Sequence, residues 1–456
     1  MLLTCLGMAT RQGSRFTLLA MSLGFAVVQL DVSVVNVAIR PIGDALGGGV
    51  AALQWIVNAY TIMFAAFILS AGALGDRIGA RRVFVAGFAL FTAASAACGL
   101  APGLGVLIGA RAVQGLAAGV LVPCSLILLN HAYREPEARS RAVGLWAAGA
   151  ASALSAGPLV GGALIAAIGW RAIFFINVPI GALGIWLTLR HARETPASPE
   201  HSVDLPGQAA AVVALAVLAA ATIEGGRAGW TSPAVLAGYG VAAVAVAAFL
   251  RIEARRRRPM LPLQLFANRT FSSAAAIGLA LNIAVYGLIF VLSLFFQRAQ
   301  GRSALATGFA FAPMTGVVMA TNVAAGRLAR RTGPRAVVVG AALLAAAACA
   351  ALLPTGQDTP YAAMVVQLIA FGAAIGLIVP LITSELLGSV DRARSGVASG
   401  TLNTMRQTGS VIGVALFGSL VGASGLTGGL HAALAISVGL LAVCAGLATV
   451  MDGRAG

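Results

Sequence analysis

Gly72-Ala-Leu-Gly-Asp-Arg-Ile-Gly-Ala-Arg-Arg82 bridges two long apolar stretches. Loops between such stretches are usually featureless, yet this one sets three glycines, one acid and three arginines in a fixed pattern. Glycine permits tight turns and close helix approach, which singles out Gly72, Gly75 and Gly79. Asp76 is a lone negative charge among Arg77, Arg81 and Arg82, able to pair with an arginine or to sit at a helix N-terminus. The pattern is echoed by Gly326-Arg-Leu-Ala-Arg-Arg-Thr-Gly-Pro-Arg335, where Arg330 takes the place of Asp76. Arg139-Ser-Arg-Ala is likewise echoed by Arg392-Ala-Arg-Ser at nearly the same offset. An internal repeat of this length predicts two related six-helix halves, the plan of many secondary transporters.

The flanks of the bridge set the class. Apolar residues make up 59% of the chain and charged ones only 10%, and mean hydropathy is +0.93. A soluble domain cannot hide that much apolar surface in one core. Runs of about 20 apolar residues, each enough for a hydrocarbon slab of ~30 Å, predict an all-α polytopic membrane protein. Fourteen spans are expected, near 16–39, 53–74, 83–100, 104–129, 142–167, 173–190, 207–223, 233–250, 271–296, 304–326, 336–353, 361–387, 398–421 and 429–450. The seventh and eighth belong to neither half. The division is therefore 1–190 for the first half, 191–258 for two inserted helices with their loops, and 259–456 for the second half.

A net charge of +16 suggests nucleic acid as a partner, but the arginines sit in short loops between spans and form no aromatic-interleaved patch. Their alternation is informative instead. Arg77/Arg81/Arg82, Arg134/Arg139/Arg141, Arg190/Arg193, Arg251 with Arg255–Arg258, Arg327/Arg330/Arg331/Arg335 and Arg392/Arg394 fall on one side, leaving few for the other. The positive-inside rule then places both termini in the cytoplasm of a bacterial inner membrane. Arg11 and Arg15 precede an apolar run too long for a signal peptide, so the run reads as the first span, with either Met1 or Met8 as the start. The five scattered cysteines, Cys5, Cys98, Cys124, Cys349 and Cys444, suggest neither a disulfide framework nor a metal site. His131, His191, His201 and His431 lack partner groupings, and there is no nucleotide-binding loop, so no metal, cofactor or enzymatic activity is expected.

Inside the spans, two charges stand out. Asp31, in Leu30-Asp-Val-Ser-Val-Val-Asn-Val-Ala-Ile39, would cost at least ~2.5–3.5 kcal/mol in hydrocarbon unless it faces a cavity, finds a partner or takes up a proton. Asn36 is roughly 140° further round the helix and need not share its face. Arg111 offers a permanent cation in the fourth span, with Gln114, Gly115 and Gly119 on one stripe. Each of these charges could instead serve only to hold helices together. Gly149, Ala153, Gly157 and Gly161 recur every four residues in the fifth span, interrupted by Pro158 and followed by Gly162, a smooth stripe for close packing. Glu224 and Glu385 lie near span ends as possible cavity or coupling groups, and Arg406 is a further cation of the second half.

Together these motifs resemble the fourteen-span drug/proton antiporters of the major facilitator superfamily. The matching residues, in order, are Leu30–Ala38, Gln54-Trp55 through Tyr60, the bridge from Gly72, Arg111–Gly119, Gly157-Pro158 with Gly161-Gly162, and Gly169-Trp-Arg-Ala-Ile-Phe-Phe-Ile-Asn-Val-Pro-Ile-Gly181. Asp204–Gly207, Leu265–Phe271 and Arg406–Gly409 extend the match over nearly the whole chain. The resemblance implies a monomeric, proton-driven exporter of lipophilic small molecules working by alternating access. It further implies that Asp76 latches the halves on the cytoplasmic side, that Arg111 serves proton coupling, and that the Gly-Pro stripe marks an exporter; Asp31 is a candidate proton carrier on its own account, because desolvation favours its protonated form. The alternatives are a nutrient importer, against which that stripe argues, and a non-transporting sensor or scaffold, which would need a soluble signalling domain. The tenth span carries no acid, so neutral or anionic substrates are expected over dications.

Overall fold

Every regular element that can be described is helical. The computed structural model describes residues 2–133, 135–196, 204–256, 259–391 and 394–451, with 2–13 as backbone alone. Arg134, His201, Arg257, Arg258 and Arg392 lie outside the described residues, as do the side chains of Cys5 and Arg11. Among the described residues, thirteen helices are long and apolar enough to cross a membrane. The first half holds Ser14–Leu46, Val50–Ile78, Ala80–Leu100, Leu104–Ala132, Pro136–Ile168 and Ala172–His191 as the first to sixth spans. The seventh and eighth are Leu205–Ala228 and Pro233–Arg255, and the ninth to twelfth are Arg269–Ala299, Ala304–Thr332, Pro334–Ala351 and Ala362–Gly388. The last helix, Ser395–Ala448, breaks at Gly425, where φ is 76°, a value only glycine adopts freely. Its two arms supply the thirteenth and fourteenth crossings.

Two expectations need correction. The first span does not stop at Ile39 but continues through Pro41 to Leu46. The Gly72–Arg82 bridge is hardly a loop at all. The second span runs to Ile78 and the third begins at Ala80, so Gly79 alone turns the chain, at φ 100°. Its echo behaves alike: Gly333, at φ 84°, is the single break between the tenth and eleventh spans. The repeat read from the sequence is thus a repeat of backbone geometry.

Each half packs on itself, and the halves meet along two seams: the second span against the thirteenth, and the fifth against the tenth. The seventh span covers the first of these seams. Ile223 and Ala219 pack with Ile62, Val411 and Ala415, Gln208 Nε2 donates to the Ala66 carbonyl at 3.0 Å, and Gly226 lies against Ser419. The eighth span is mostly exposed, and Val244 at 70% exposure is typical of a face meant for lipid. Cys98, Cys124, Cys349 and Cys444 are free and buried.

The two ends of the bundle differ. At the arginine-poor end the halves are sealed: Arg40 donates to the Gln297 carbonyl, Ser293 Oγ to the Asn36 carbonyl, and Gln54 Nε2 to the Val414 and Ala415 carbonyls at 2.9 and 2.7 Å. Along the fifth–tenth seam, contact reaches as far as Ser152 and Met319, whose Oγ and Sδ are 3.6 Å apart near the middle of their helices. Beyond it, towards the arginine-rich end, Gly144 and Gly326 have open space where a side chain would stand.

Candidate functional site

The first, third, fourth and sixth spans converge on one buried polar cluster. Asp31 and Arg111 are 0% and 1% exposed and form an ion pair. Arg111 Nη1 also donates to Gln114 Oε1 at 2.8 Å, and Gln114 Nε2 donates to Asp31 Oδ1 at 2.9 Å. Asn177 Nδ2 reaches the same Oδ1 at 3.0 Å, and Ser95 Oγ accepts from both amides while donating to the Phe174 carbonyl. Arg111 Nε donates to the Ile56 carbonyl at 3.1 Å, and the guanidinium lies 4.2 Å from the Tyr60 ring centroid. The planar guanidinium spreads its five donors so that separate nitrogens serve a carboxylate with an amide on one side and a backbone carbonyl on the other.

The glycine stripe of the fourth span makes this possible. A Cβ on Gly115 would collide with the Tyr60 carbonyl and one on Gly119 would be 3.2 Å from the Phe64 carbonyl, so any side chain there would push the second span away. Of the three fates open to Asp31, the structure gives it partners, and it faces the interior of the first half. Asn36 lies elsewhere, as the helical angle required. With Ser33, on the other side of the same span, it lines a cavity between the halves together with Ser155, Pro158, Tyr286 and Thr315. No carboxylate lines that cavity.

The fifth-span stripe divides its glycines between two jobs. Gly157 presses on Ser33, and a Cβ on Gly161 would be 2.9 Å from Val37, both contacts within the first half. A Cβ on Gly162 would instead be 2.8 Å from Leu305 Cα and 2.9 Å from the Ala304 carbonyl, in the second half. Pro158 belongs with Gly162, since its carbonyl abuts Gly308. Gly149 is looser, its nearest neighbour being Ser22 at 3.9 Å.

The arginine-rich bridge is organised by a different acid from the expected one. Asp76 is half-buried in the last turn of the second span, with no ion-pair partner among the described residues. It therefore neither pairs with Arg77 or Arg81 nor sits at a helix N-terminus. Glu194, just beyond the sixth span, accepts from the Arg81 and Arg82 amides at 2.9 and 3.3 Å and lies 3.6 Å from Arg82 Nε. Thr195 Oγ1 accepts from the Ala80 amide at 2.8 Å, and Arg81 Nη2 donates to the Leu189 carbonyl at 2.6 Å. A carboxylate at the free amides of a helix start is favourable both as a cap and against the helix dipole. Gly79 leaves room for it, since a Cβ there would be 2.6 Å from Glu194 Oε1.

The remaining candidates scatter. Glu224 pairs with Arg227 on its own helix, at 2.8 Å and partly in the open, and is no part of the cavity. Glu385 is half-buried one turn from the end of the twelfth span and also stands apart from the cavity lining. Arg406 Nη2 donates to the Val379 carbonyl and Thr383 Oγ1 at 3.1 and 2.7 Å. Ser95, Asn177, Tyr60 and Glu194 went unassigned from the sequence. The signal for Asn177 was present, as an amide isolated in an apolar run, whereas nothing marked Glu194 among the polar residues after the sixth span.

Comparison with known proteins bears on this arrangement. The family model described as Major Facilitator Superfamily matches residues 21–414. The methylenomycin A resistance protein of Streptomyces coelicolor is 38% identical over 399 residues, covering 88% of this chain and 84% of the relative. The multidrug resistance protein Stp of Mycobacterium tuberculosis is 36% identical, with 89% and 76% covered, and the drug efflux pump JefA of the same species is 34% identical, with 90% and 80% covered. Among solved structures, an inward-facing, unoccupied bacterial homolog of the human lysosomal transporter Spinster superposes with a TM-score of 0.69 over 96% of this chain and 98% of that one. The human organic anion transporter MFSD10 gives 0.65 over 95% and 99%. At 18% and 17% identity, these two speak to the fold alone.

Proposed function

The chain belongs to the major facilitator superfamily, among its drug-efflux transporters, and from that premise we propose that it exports lipophilic small molecules from a bacterial cell in exchange for protons. The Asp31–Arg111 pair carries this reading. Two unlike charges removed from water gain little net stability over a well-packed apolar pair, so a fully buried pair is poorly explained as a staple alone. If Asp31 takes a proton, the attraction to Arg111 is lost and the guanidinium must find new partners, repacking the first span against the fourth. The first span also carries Ser33 and Asn36 into the cavity, and Asn36 and Arg40 into the seal between the halves. Proton binding on one face of that helix is thereby linked to opening and closing on the other.

In this cycle the arginine-rich end faces the cytoplasm. The sealed arginine-poor end marks the state that loads substrate from the cell side. Asp76 has no ion-pair partner in that state, which fits a latch engaged only when the cytoplasmic end closes.

The test uses everted vesicles holding the full-length protein. A lipophilic substrate should dissipate an imposed pH gradient with wild type, and Asp31→Asn at equal protein level should not. Undiminished proton flux in the variant would remove Asp31 from the coupling step.

A further inference from the structure

Among the described residues, two arginines lie well inside spans and away from the ends of the bundle, and their surroundings are opposite. Arg111 is cancelled by Asp31. Arg406 lies about 16 Å along the helix from the arginine-rich end of the thirteenth span, at 1.5 Å per residue, with no acid within ion-pair distance. Its Nη2 is held by Val379 and Thr383, while its Nε is buried without any partner. Ile375, one turn before Val379, lines the cavity between the halves, as does Tyr286, two turns beyond Gly278, where a Cβ would be 3.6 Å from Arg406 Cγ. A permanent cation with an unused donor, one to two helical turns from the lining of a cavity free of carboxylates, is costly in hydrocarbon unless an anion completes it.

We infer that Arg406 is the anchor for the anionic group of an amphiphilic substrate, a carboxylate or its equivalent, whose apolar body occupies the cavity beside Tyr286 and Met314. Resting on the export reading, this assigns it a substrate class. Thr383 is the positioning residue: its hydroxyl and the Val379 carbonyl fix one nitrogen of the fork, leaving the rest to an incoming carboxylate. The cation is supplied by the second half, so binding an anion does not disturb the Asp31–Arg111 pair in the first.

The experiment uses the full chain in phosphatidylcholine nanodiscs and two matched probes, 2-naphthylacetic acid and its uncharged amide. By calorimetry, wild type should bind the acid about tenfold more tightly than the amide, as a charge-assisted contact provides. Arg406→Gln should abolish that preference while leaving the amide unaffected. Arg406→Lys should retain part of it, and Thr383→Val should reduce it about threefold; these two variants carry the test if Arg406→Gln does not fold. Equal binding of both probes by wild type, binding of neither, or a preference surviving Arg406→Gln would overturn the assignment. Phosphatidylglycerol in the nanodisc separates the sources of the anion. If it erases the wild-type preference, the anion is a lipid headgroup and the substrate assignment falls. Energised uptake of the same probes into everted vesicles is scored separately, so an absence of export would count against the transport reading and not against the anchor.

Discussion

The two halves of this molecule repeat one backbone and diverge in charge. Gly79 and Gly333 turn the chain at equivalent places with similar positive φ, yet Asp76 on one side is Arg330 on the other. Deeper in, the first half buries Arg111 with a carboxylate, a side-chain amide and a backbone carbonyl, whereas the second leaves Arg406 with a hydroxyl, a carbonyl and an orphan donor. A fold built by duplication can thus assign different work to its copies without changing their shape. A cation with its own acid suits a group that must change charge during a cycle, and a cation without one suits a ligand that brings the charge.

The largest effect should come from breaking the paired arginine. Asp31→Asn leaves Arg111 buried and uncompensated, and removing one partner of such a pair costs about 3–5 kcal/mol. Thermal unfolding in detergent should show a large fall in stability, together with loss of proton-coupled transport. The double variant Asp31→Asn/Arg111→Gln should recover most of the stability and none of the coupling. If it recovers both, the pair is a staple and the contrast between the halves loses its meaning.

The middle effect concerns the seams. Gly161 and Gly162 are neighbours in sequence, but the first fits the first half and the second meets the Leu305 backbone across the divide. Gly162→Ala must push the halves apart at the arginine-poor end. Overpacking of this kind costs about 1–3 kcal/mol, and at the lower end that shifts a two-state equilibrium roughly fivefold. Labelling of a cysteine placed at Ala304, buried against Gly162 in wild type, should rise in this variant. Labelling that matches wild type would mean the seal yields elsewhere. Gly161→Ala should lower thermal stability without changing labelling from either side.

Much of this architecture was legible in the chain because hydrophobic length and arginine alternation follow from the bilayer itself. The spans, the two halves and the inserted pair are visible that way, and so are Asp31 and Arg111, whose charges are conspicuous in apolar runs. Their partners were not. Ser95 and Asn177 are ordinary polar residues on separate helices, and only three-dimensional packing brings Asn177 to Asp31 Oδ1 and Ser95 to Asn177. The extent of the second span was misread for a related reason. Arginine and aspartate looked like loop residues, but a helix end tolerates them once they reach water. The lipid-exposed Val244 face of the eighth span shows the converse: it matches a core helix in composition, and burial alone tells them apart.

The smallest effect sharpens the comparison at the bridge, where one acid has a partner and the other waits for one. Glu194 caps the third span through the Arg81 and Arg82 amides, so Glu194→Gln should cost about 1 kcal/mol in thermal stability from lost charge at the helix start. Asp76→Asn should cost almost nothing, because Asp76 has no ion pair among the described residues to lose. Transport should show the opposite ranking. Glu194 works inside one half and keeps the same partners as the halves rock, so its loss should leave turnover near wild type. Asp76 stands at the arginine-rich end of the bundle, and a latch there matters only when that end closes. Cysteine labelling from the cytoplasmic side should therefore increase in Asp76→Asn and stay unchanged in Glu194→Gln. If labelling is unchanged in both, Asp76 is no latch, and the acid that matters at this bridge is the one that caps the third span.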